Sequence, residues 1–402
     1  MNTLFSRIIF LLFLLIPIVF MSTDYPTVFA PFVVPGYHYE SIKVLVFFFL
    51  GTLLGIVSLL NWRKRENMSR FSHSVLLGTV LLMMSIAFST LFSDFPIYSL
   101  LGSPERRHGI IFYGSLVCFY LLLRQSMSAE VKQMGEWGMF MSFILLSGYA
   151  LMQYYGFGDI SSDNPIVISS TLGNSAYLAG YILILLPWIF QEKNPRVFRY
   201  TVGIFATIII FITGSISAII LTIFYIFFVG WKEYKKLPTN KVRVKILFLL
   251  IFAIFLGGMV FSSIKYIPLD IKIQNLETRL VIWNETLGVW KRDSVSVLFG
   301  NGADTLGYFL DSGRRSSTLR EYIPDNYSID RAHNIFLDIL FSFGILGFFA
   351  FIVPVWIILR NRLHYTETHV ILLFFAFFFF NIPVISHWLI FIFALSTVKI
   401  RE

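Results

Sequence analysis

Residues 265–333 read KYIPLDIKIQNLETRLVIWNETLGVWKRDSVSVLFGNGADTLGYFLDSGRRSSTLREYIPDNYSIDRAH, with nine basic and nine acidic side chains. On either side lie apolar runs, 245–264 and 334–359, each long enough to cross a bilayer. Loops of such length are functional or disordered, and this one has too many aromatics and aliphatics to be disordered. A functional polar segment between membrane spans therefore frames the reading of the rest of the chain.

Working outward, 56% of the 402 residues are hydrophobic and 14% are charged, more apolar material than a globular surface can hide. The expectation is an all-α, polytopic membrane helix bundle with about twelve spans. They fall at 8–22, 42–60, 75–92, 110–123, 137–155, 175–190, 199–213, 215–230, 245–264, 334–359, 370–382 and 385–398. The last two, parted by Ile382-Pro383, could also be one kinked segment. The chain thus divides into spans one to nine (1–264), an outer loop with amphipathic helices (265–333) and spans ten to twelve (334–402). The first run follows Arg7 and is expected to be a retained helix, since no small-residue cleavage site follows it. Cys118, the one cysteine, is expected as a small buried side chain inside a span, and the Phe374–Phe380 run as lipid-facing.

Lys and Arg in short loops favour the cytoplasmic side. Arg7, Arg63-Lys64-Arg65, Arg70, Arg124, Lys132, Lys193, Arg196, Arg199, the run from Lys232 to Lys245, Arg360, Arg362, Lys399 and Arg401 fall on one side. They are 20 of the 32 basic residues. Both termini are then cytoplasmic, and the net charge of +9 faces anionic lipid rather than nucleic acid. Two outer segments break this pattern. One is Gly102-Ser103-Pro104-Glu105-Arg106-Arg107-His108-Gly109, and the other is 265–333. Charge placed against the topogenic rule points to binding, with an interfacial ion pair to Glu105 as the plainer alternative for the two arginines.

Within the long segment, Leu276, Leu280, Trp283, Leu287 and Trp290 recur at spacings of four and three, one stripe of an amphipathic helix lying on the membrane face. Arg279 sits one turn before Trp283. A turn at Gly300-Asn301-Gly302 ends the helical stretch. His333 and Asn334 begin the next span, with Asp338 and Ser342 at helical spacing. An imidazole at the positive end of a helix is kept neutral and able to accept a proton, whereas a bound phosphate would shift it the other way. The plainer readings are an interfacial anchor for Arg279 and a capping role for His333. Arginines, a histidine and asparagines without a metal-binding carboxylate cluster suit an anionic phosphate and a hydroxyl that must lose its proton.

Thr278-Arg279, Trp283, Gly300-Asn301-Gly302, Ala332-His333-Asn334 and Gly344-Ile345-Leu346-Gly347 follow one another in the C-terminal half. In that order they resemble the O-antigen ligase and O-antigen polymerase superfamily of bacterial membrane glycosyltransferases. The segment Thr171-Leu172-Gly173-Asn174-Ser175-Ala176-Tyr177-Leu178-Ala179 and the Glu105–Gly109 loop are similar to outer-face motifs of that group. The resemblance implies a GT-C-like, inverting transferase without metal or cofactor, in the bacterial inner membrane with its site at the periplasmic face. It implies a glycan moved from undecaprenyl pyrophosphate to an acceptor hydroxyl, in lipopolysaccharide or surface polysaccharide synthesis. Carried over by position, Arg279 contacts the pyrophosphate and His333 acts at the acceptor or the leaving phosphate, with Asn334, Asn174 and Trp283 positioning substrate. One departure stands out. Where many members place an arginine after a serine, this chain reads Thr213-Gly214-Ser215-Ile216-Ser217. Arg106, Arg107 and Arg331 are candidates for the second cation, the first two favoured because no topogenic reason explains them. The expected partners are the lipid-linked donor, a glycan or lipid A core acceptor and membrane lipid. A ligase is expected slightly ahead of a repeat-unit polymerase. A lipid-linked glycan transporter is disfavoured by span interiors with few polar groups.

Overall fold

The computed structural model describes residues 2–19, 39–60, 73–104, 106–157, 168–236, 269–311, 316–323, 329–360 and 366–398. The predicted span 245–264, Glu105 and the cluster Arg63-Lys64-Arg65 lie outside them. Among the described residues every regular element is helical. The chain runs through α1 (Asn2–Ile18), α2 (Tyr39–Leu60), α3 (His73–Leu91), α4 (Pro96–Leu101), α5 (Ile110–Ser126) and α6 (Ala129–Tyr154). Next come α7 (Ser175–Ile189), α8 (Arg196–Ile212) and α9 (Ile216–Lys236), then α10 (Leu269–Trp290), α11 (Ser294–Phe299), α12 (Leu306–Asp311) and α13 (Ser317–Tyr322). The last three are α14 (Ile335–Leu359), α15 (Thr366–Phe378) and α16 (Ile385–Thr397). By length and composition, Glu40–Val57, Ile216–Lys235 and Ile335–Leu359 are able to cross a membrane, and α1, α3, α5, α7, α15 and α16 supply shorter apolar segments.

Polar side chains set the helix starts. The Ser128 hydroxyl accepts from Val131 N at 3.2 Å and opens α6, and Asn174 Oδ1 accepts from Ala176 N at 2.8 Å and opens α7. α1 lies against α6 where Gly138 has no side chain, since a Cβ there would stand 2.6 Å from the Phe10 carbonyl oxygen. α7 and α16 are enclosed almost throughout. Ile382-Pro383 separates two distinct helices, α15 ending at Phe378 and α16 starting at Ile385.

Two expectations are corrected. Phe374, Phe377 and Phe378 are fully buried, because α15 turns that face toward α7 and α16. Cys118 is exposed, because Phe112, Leu116, Phe119 and Leu123 form the inward face of α5. On α10, Leu276 and Leu280 are exposed, while the buried line runs through Ile282, Thr286 and Trp290. Of the expected stripe, Trp290 is buried and Trp283 and Leu287 pack against the same apolar cluster, while Leu276 and Leu280 stay on the open surface.

A second core forms outside the main bundle. Ile282, Trp290, Leu306, Phe309 and Leu319 gather there with Phe341 of α14, so the described parts of the 269–333 segment form a cap against α14. The seam is a break in α14. Gly344 has φ 64°, a left-handed conformation that interrupts the helical ladder. The carbonyls around the break find partners elsewhere: Asn301 N donates to Phe341 O at 2.8 Å and Gly302 N to Ser342 O at 3.2 Å. From α3, Ser85 Oγ donates to Phe343 O at 3.1 Å and Ser89 Oγ to Ser342 O. A Cβ at Gly300 would lie 2.3 Å from Ser342 O, and one at Gly344 2.4 Å from Leu298 O. The Gly300-Asn301-Gly302 turn thus docks backbone to backbone against the broken helix.

Candidate functional site

At the N-terminus of α14 the backbone is pinned on both sides of His333. Ala332 N donates to Asp338 Oδ1 at 2.9 Å, and Ala332 O accepts from Trp283 Nε1 at 2.8 Å. Asn334 caps the helix, its Oδ1 accepting from Phe336 N at 2.9 Å and Leu337 N at 3.2 Å. Between these clamps His333 has φ 54°, a left-handed conformation that costs a non-glycine residue free energy and persists only where neighbours enforce it. Its ring is half-buried.

α10 brings the first cation. Arg279 Nη1 donates to the Phe380 carbonyl, one turn from Trp283, whose ring lies 5.8 Å from Phe379 and 6.1 Å from Phe380. The second comes from the 102–109 loop. Arg106 Nε pairs with Asp330, and its Nη2 donates to the Tyr177 hydroxyl at 3.1 Å. That loop is held by its own backbone and by two carboxylates. A Cβ on Gly109 would lie 2.3 Å from Gly102 N. Asp304 Oδ2 accepts from Ser103 N at 2.6 Å and His108 N at 3.2 Å. The His108 ring, stacked on Phe112 at 4.2 Å, meets Glu40 Oε1 at 3.0 Å, and the same oxygen accepts from Ile385 N. Asp304 Oδ1 also pairs with Arg331 Nη2 at 2.7 Å, so Arg331 is buried with its charge answered.

The electrostatics follow from this convergence. Burial pushes the His333 imidazole down to about 4; Asp330 opposes the shift, and Arg279, Arg106 and Arg331 add to it. Burial would raise the Asp330 carboxyl, but Arg106, His333 and Arg331 overcome it and hold the group at about 2. Arg106 behaves alike: burial works against its charge, and Asp330 and Tyr177 raise its pKa well above the ordinary value. Arg279 differs. Only burial acts on it, lowering its pKa, and among the described residues no carboxylate answers its charge. The arrangement is a neutral imidazole beside a guanidinium that no carboxylate answers among the described residues, backed by an Arg106–Asp330 pair.

The structure therefore gathers His333, Arg279 and Arg106, with Trp283 and Asn334 in backbone-holding positions. Asn174 caps α7 three residues before Tyr177, the hydroxyl that Arg106 reaches. Arg107 has φ 60° and is not among the cations acting on His333. Ile216 starts α9 next to Ser217, whose hydroxyl accepts from Asn381 Nδ2 at 3.0 Å. Asn381 follows Phe380, whose carbonyl anchors Arg279, so Ser217 is tied to the residue next to that anchor. Asp330, Tyr177, Asp304 and Glu40 were not singled out as site residues from the sequence. Asp330 had one signal, a carboxylate next to Arg331 in the motif that leads to His333.

No curated protein and no solved structure matches the chain. Residues 201–352, a stretch that contains Ile216, Arg279, Trp283, the Gly300-Asn301-Gly302 turn, His333, Asn334 and the break at Gly344, match the family model described as O-antigen ligase, the superfamily that the motifs resemble.

Proposed function

We propose that the chain is a membrane glycosyltransferase that moves a glycan from a polyprenyl pyrophosphate, undecaprenyl pyrophosphate in a bacterium, to an acceptor hydroxyl at the outer membrane face. The observation that carries the reading is Arg279, which no carboxylate answers among the described residues, beside a His333 kept neutral. A guanidinium without a carboxylate partner is a receptor for an anion. A neutral imidazole is a receptor for a proton.

In this reading the donor's pyrophosphate lies against Arg279, and Arg106 reaches it through the guanidinium nitrogens that its pair with Asp330 leaves over. The acceptor oxygen attacks the anomeric carbon as the carbon–oxygen bond to phosphate breaks, and the configuration inverts. The hydroxyl proton passes to His333, and the pyrophosphate departs as an anion that Arg279 stabilises. Bound pyrophosphate also raises the histidine's proton affinity, so donor binding prepares the base that the acceptor needs. Trp283 and Asn334 fix the backbone that carries the imidazole. An apolar slot between α3, α5, α14 and α16 ends at Tyr113 and Trp388, next to Arg331 and His108, and offers the prenyl end of the donor an apolar wall. The acceptor favoured is a lipid-anchored core sugar, as in a ligase.

Transfer assays in membranes with His333→Ala and Arg279→Ala test the reading, each run with a lipid-anchored core glycan and with a free repeat unit as acceptor. Loss of product in both variants is expected, and near wild-type transfer in both overturns the assignment.

A further inference from the structure

A second cavity lies at the other end of the bundle, and the proposed transfer reaction makes no use of it. It has a volume of about 610 Å³ and is bounded by α6, the end of α7 and the start of α8. Trp188 in its wall lies eleven residues along α7 from Tyr177, roughly 16 Å at the helical rise, so this is a separate site. Space on this scale does not belong to a packed interior and falls within the range of ligand pockets, roughly 300–1,000 Å³.

Its chemistry is mixed in an informative way. Phe140, Phe143, Leu185, Ile189 and Phe198 make most of the wall apolar, which disfavours filling by water alone. Three polar atoms of its lining are nevertheless buried without a hydrogen-bond partner among the described residues: Trp188 Nε1, Glu136 Oε1 and Gln191 Oε1. Trp188 is only 8% exposed. Buried polar atoms left unpaired are costly, and three in one cavity indicate that an occupant satisfies them. One is a donor and two are acceptors. The charged lining is balanced as well: Lys193 pairs with Glu136 Oε2 at 2.6 Å and Lys132 with Glu367 Oε1 at 2.5 Å.

We infer that this cavity binds a zwitterionic phospholipid carrying a primary ammonium. The ammonium donates to Glu136 Oε1 and Gln191 Oε1, the phosphate accepts from Trp188 Nε1 and faces Lys193, and the start of an acyl chain lies along Phe140 and Phe143. A purely anionic headgroup would set its phosphate against Glu136 without offering a cation. A trimethylammonium headgroup has no N–H to donate.

The test uses the intact protein exchanged into nanodiscs of phosphatidylethanolamine, phosphatidylcholine or phosphatidylglycerol, with retained lipid counted by native mass spectrometry. Retention of phosphatidylethanolamine about tenfold above either of the others is expected, the scale of one charge-assisted hydrogen bond. Trp188→Phe and Glu136→Gln should each remove most of that excess, while Cys118→Ala, on the exposed face of α5, should keep it. Equal retention of the three lipids, preference for phosphatidylglycerol, or full selectivity in both cavity variants overturns the site. Wild-type selectivity decides the matter by itself where a variant does not fold.

Discussion

Trp283 Nε1 donates to the carbonyl of Ala332 across 2.8 Å, so the amphipathic helix that presents Arg279 also holds the residue before His333. Arg279 and the proposed base are therefore linked through one hydrogen bond rather than carried by two independent loops. Trp283→Phe keeps a ring against Phe379 and Phe380 but deletes the donor. The transfer rate should fall about tenfold, with much less change in apparent donor affinity, because misplacing a catalytic group costs more in the transition state than in binding. Steady-state kinetics in membranes check this, and an unchanged rate would separate the tryptophan from the positioning of His333.

The His333 shift has a defined sign in pH. Its folded value of about 4 lies below the ordinary value for histidine, so between about pH 6.5 and 4 the unfolded chain binds more protons than the folded one. This group therefore favours folding above that window, and its contribution is lost as pH falls through it. In activity, the acid limb of kcat/KM should lie near pH 4 for the free enzyme. The corresponding limb of kcat should move upward, because bound pyrophosphate raises the imidazole's pKa. In His333→Gln that limb should vanish.

Arg106 and Asp330 are half-buried and oppositely charged. Arg106→Gln leaves a desolvated carboxylate facing His333, so the Asp330 pKa should rise from about 2 toward its ordinary range. The stability that the depressed carboxyl contributes is present above about pH 4 and lost as pH falls toward 2, and this acid transition should move up in the variant. Loss of the pair should cost about 2 kcal/mol after allowing for partial exposure. Thermal unfolding of Arg106→Gln, Asp330→Asn and the double variant measures it, the double variant being less destabilised than the sum of the singles.

Gly344→Ala asks an alanine to adopt φ 64° with its Cβ about where Leu298 O sits. The conformation alone costs about 1–3 kcal/mol, and displacing the docked turn adds to it. Thermal unfolding in detergent should show a marked drop in midpoint for Gly344→Ala, and a similar drop for Gly300→Ala, which strikes the same seam from the other side.

Ile216 is partly exposed at the start of α9, near the anchor of Arg279. An arginine there would add a cation beside the proposed pyrophosphate. Ile216→Arg should lower the apparent KM for donor about three- to tenfold with little change in kcat, the mark of added uniform binding. A higher KM would mean that the turn does not face the donor.

Much of the helix pattern was readable because apolar runs in a bilayer protein are dictated by solvent, a signal local in sequence. The limits show where that signal weakens. α6 starts at Ala129, ahead of the predicted 137, because its first two turns, with Glu130, Lys132 and Glu136, are polar and are fixed by the Ser128 cap. Which way an apolar helix faces is less legible: hydrophobicity does not distinguish lipid from core, so the pattern puts Phe374 and Cys118 on the wrong sides. At the candidate site, Arg279, Arg106 and His333 can be read because they lie in segments whose charge departs from the pattern of the other short loops. Their partners cannot. Asp330 lies 224 positions from Arg106, and Glu40 lies 68 from His108, pairings that tertiary structure makes and no periodicity records. Arg331, a candidate cation by sequence, is answered by Asp304, whose position beside it depends on the docked turn.

The break in α14 also bears on how the protein is made. A span with unpaired carbonyls at mid-length should enter a bilayer poorly. Yet every group that satisfies the break, Ser85, Ser89, Asn301 and Gly302, precedes residue 341 in the chain and has been synthesised before α14 leaves the ribosome. The broken span is then received by a template already in place. Its insertion is coupled to the earlier folding of α3 and the cap, and a chain cut before α14 would expose donors in search of a helix that never arrives.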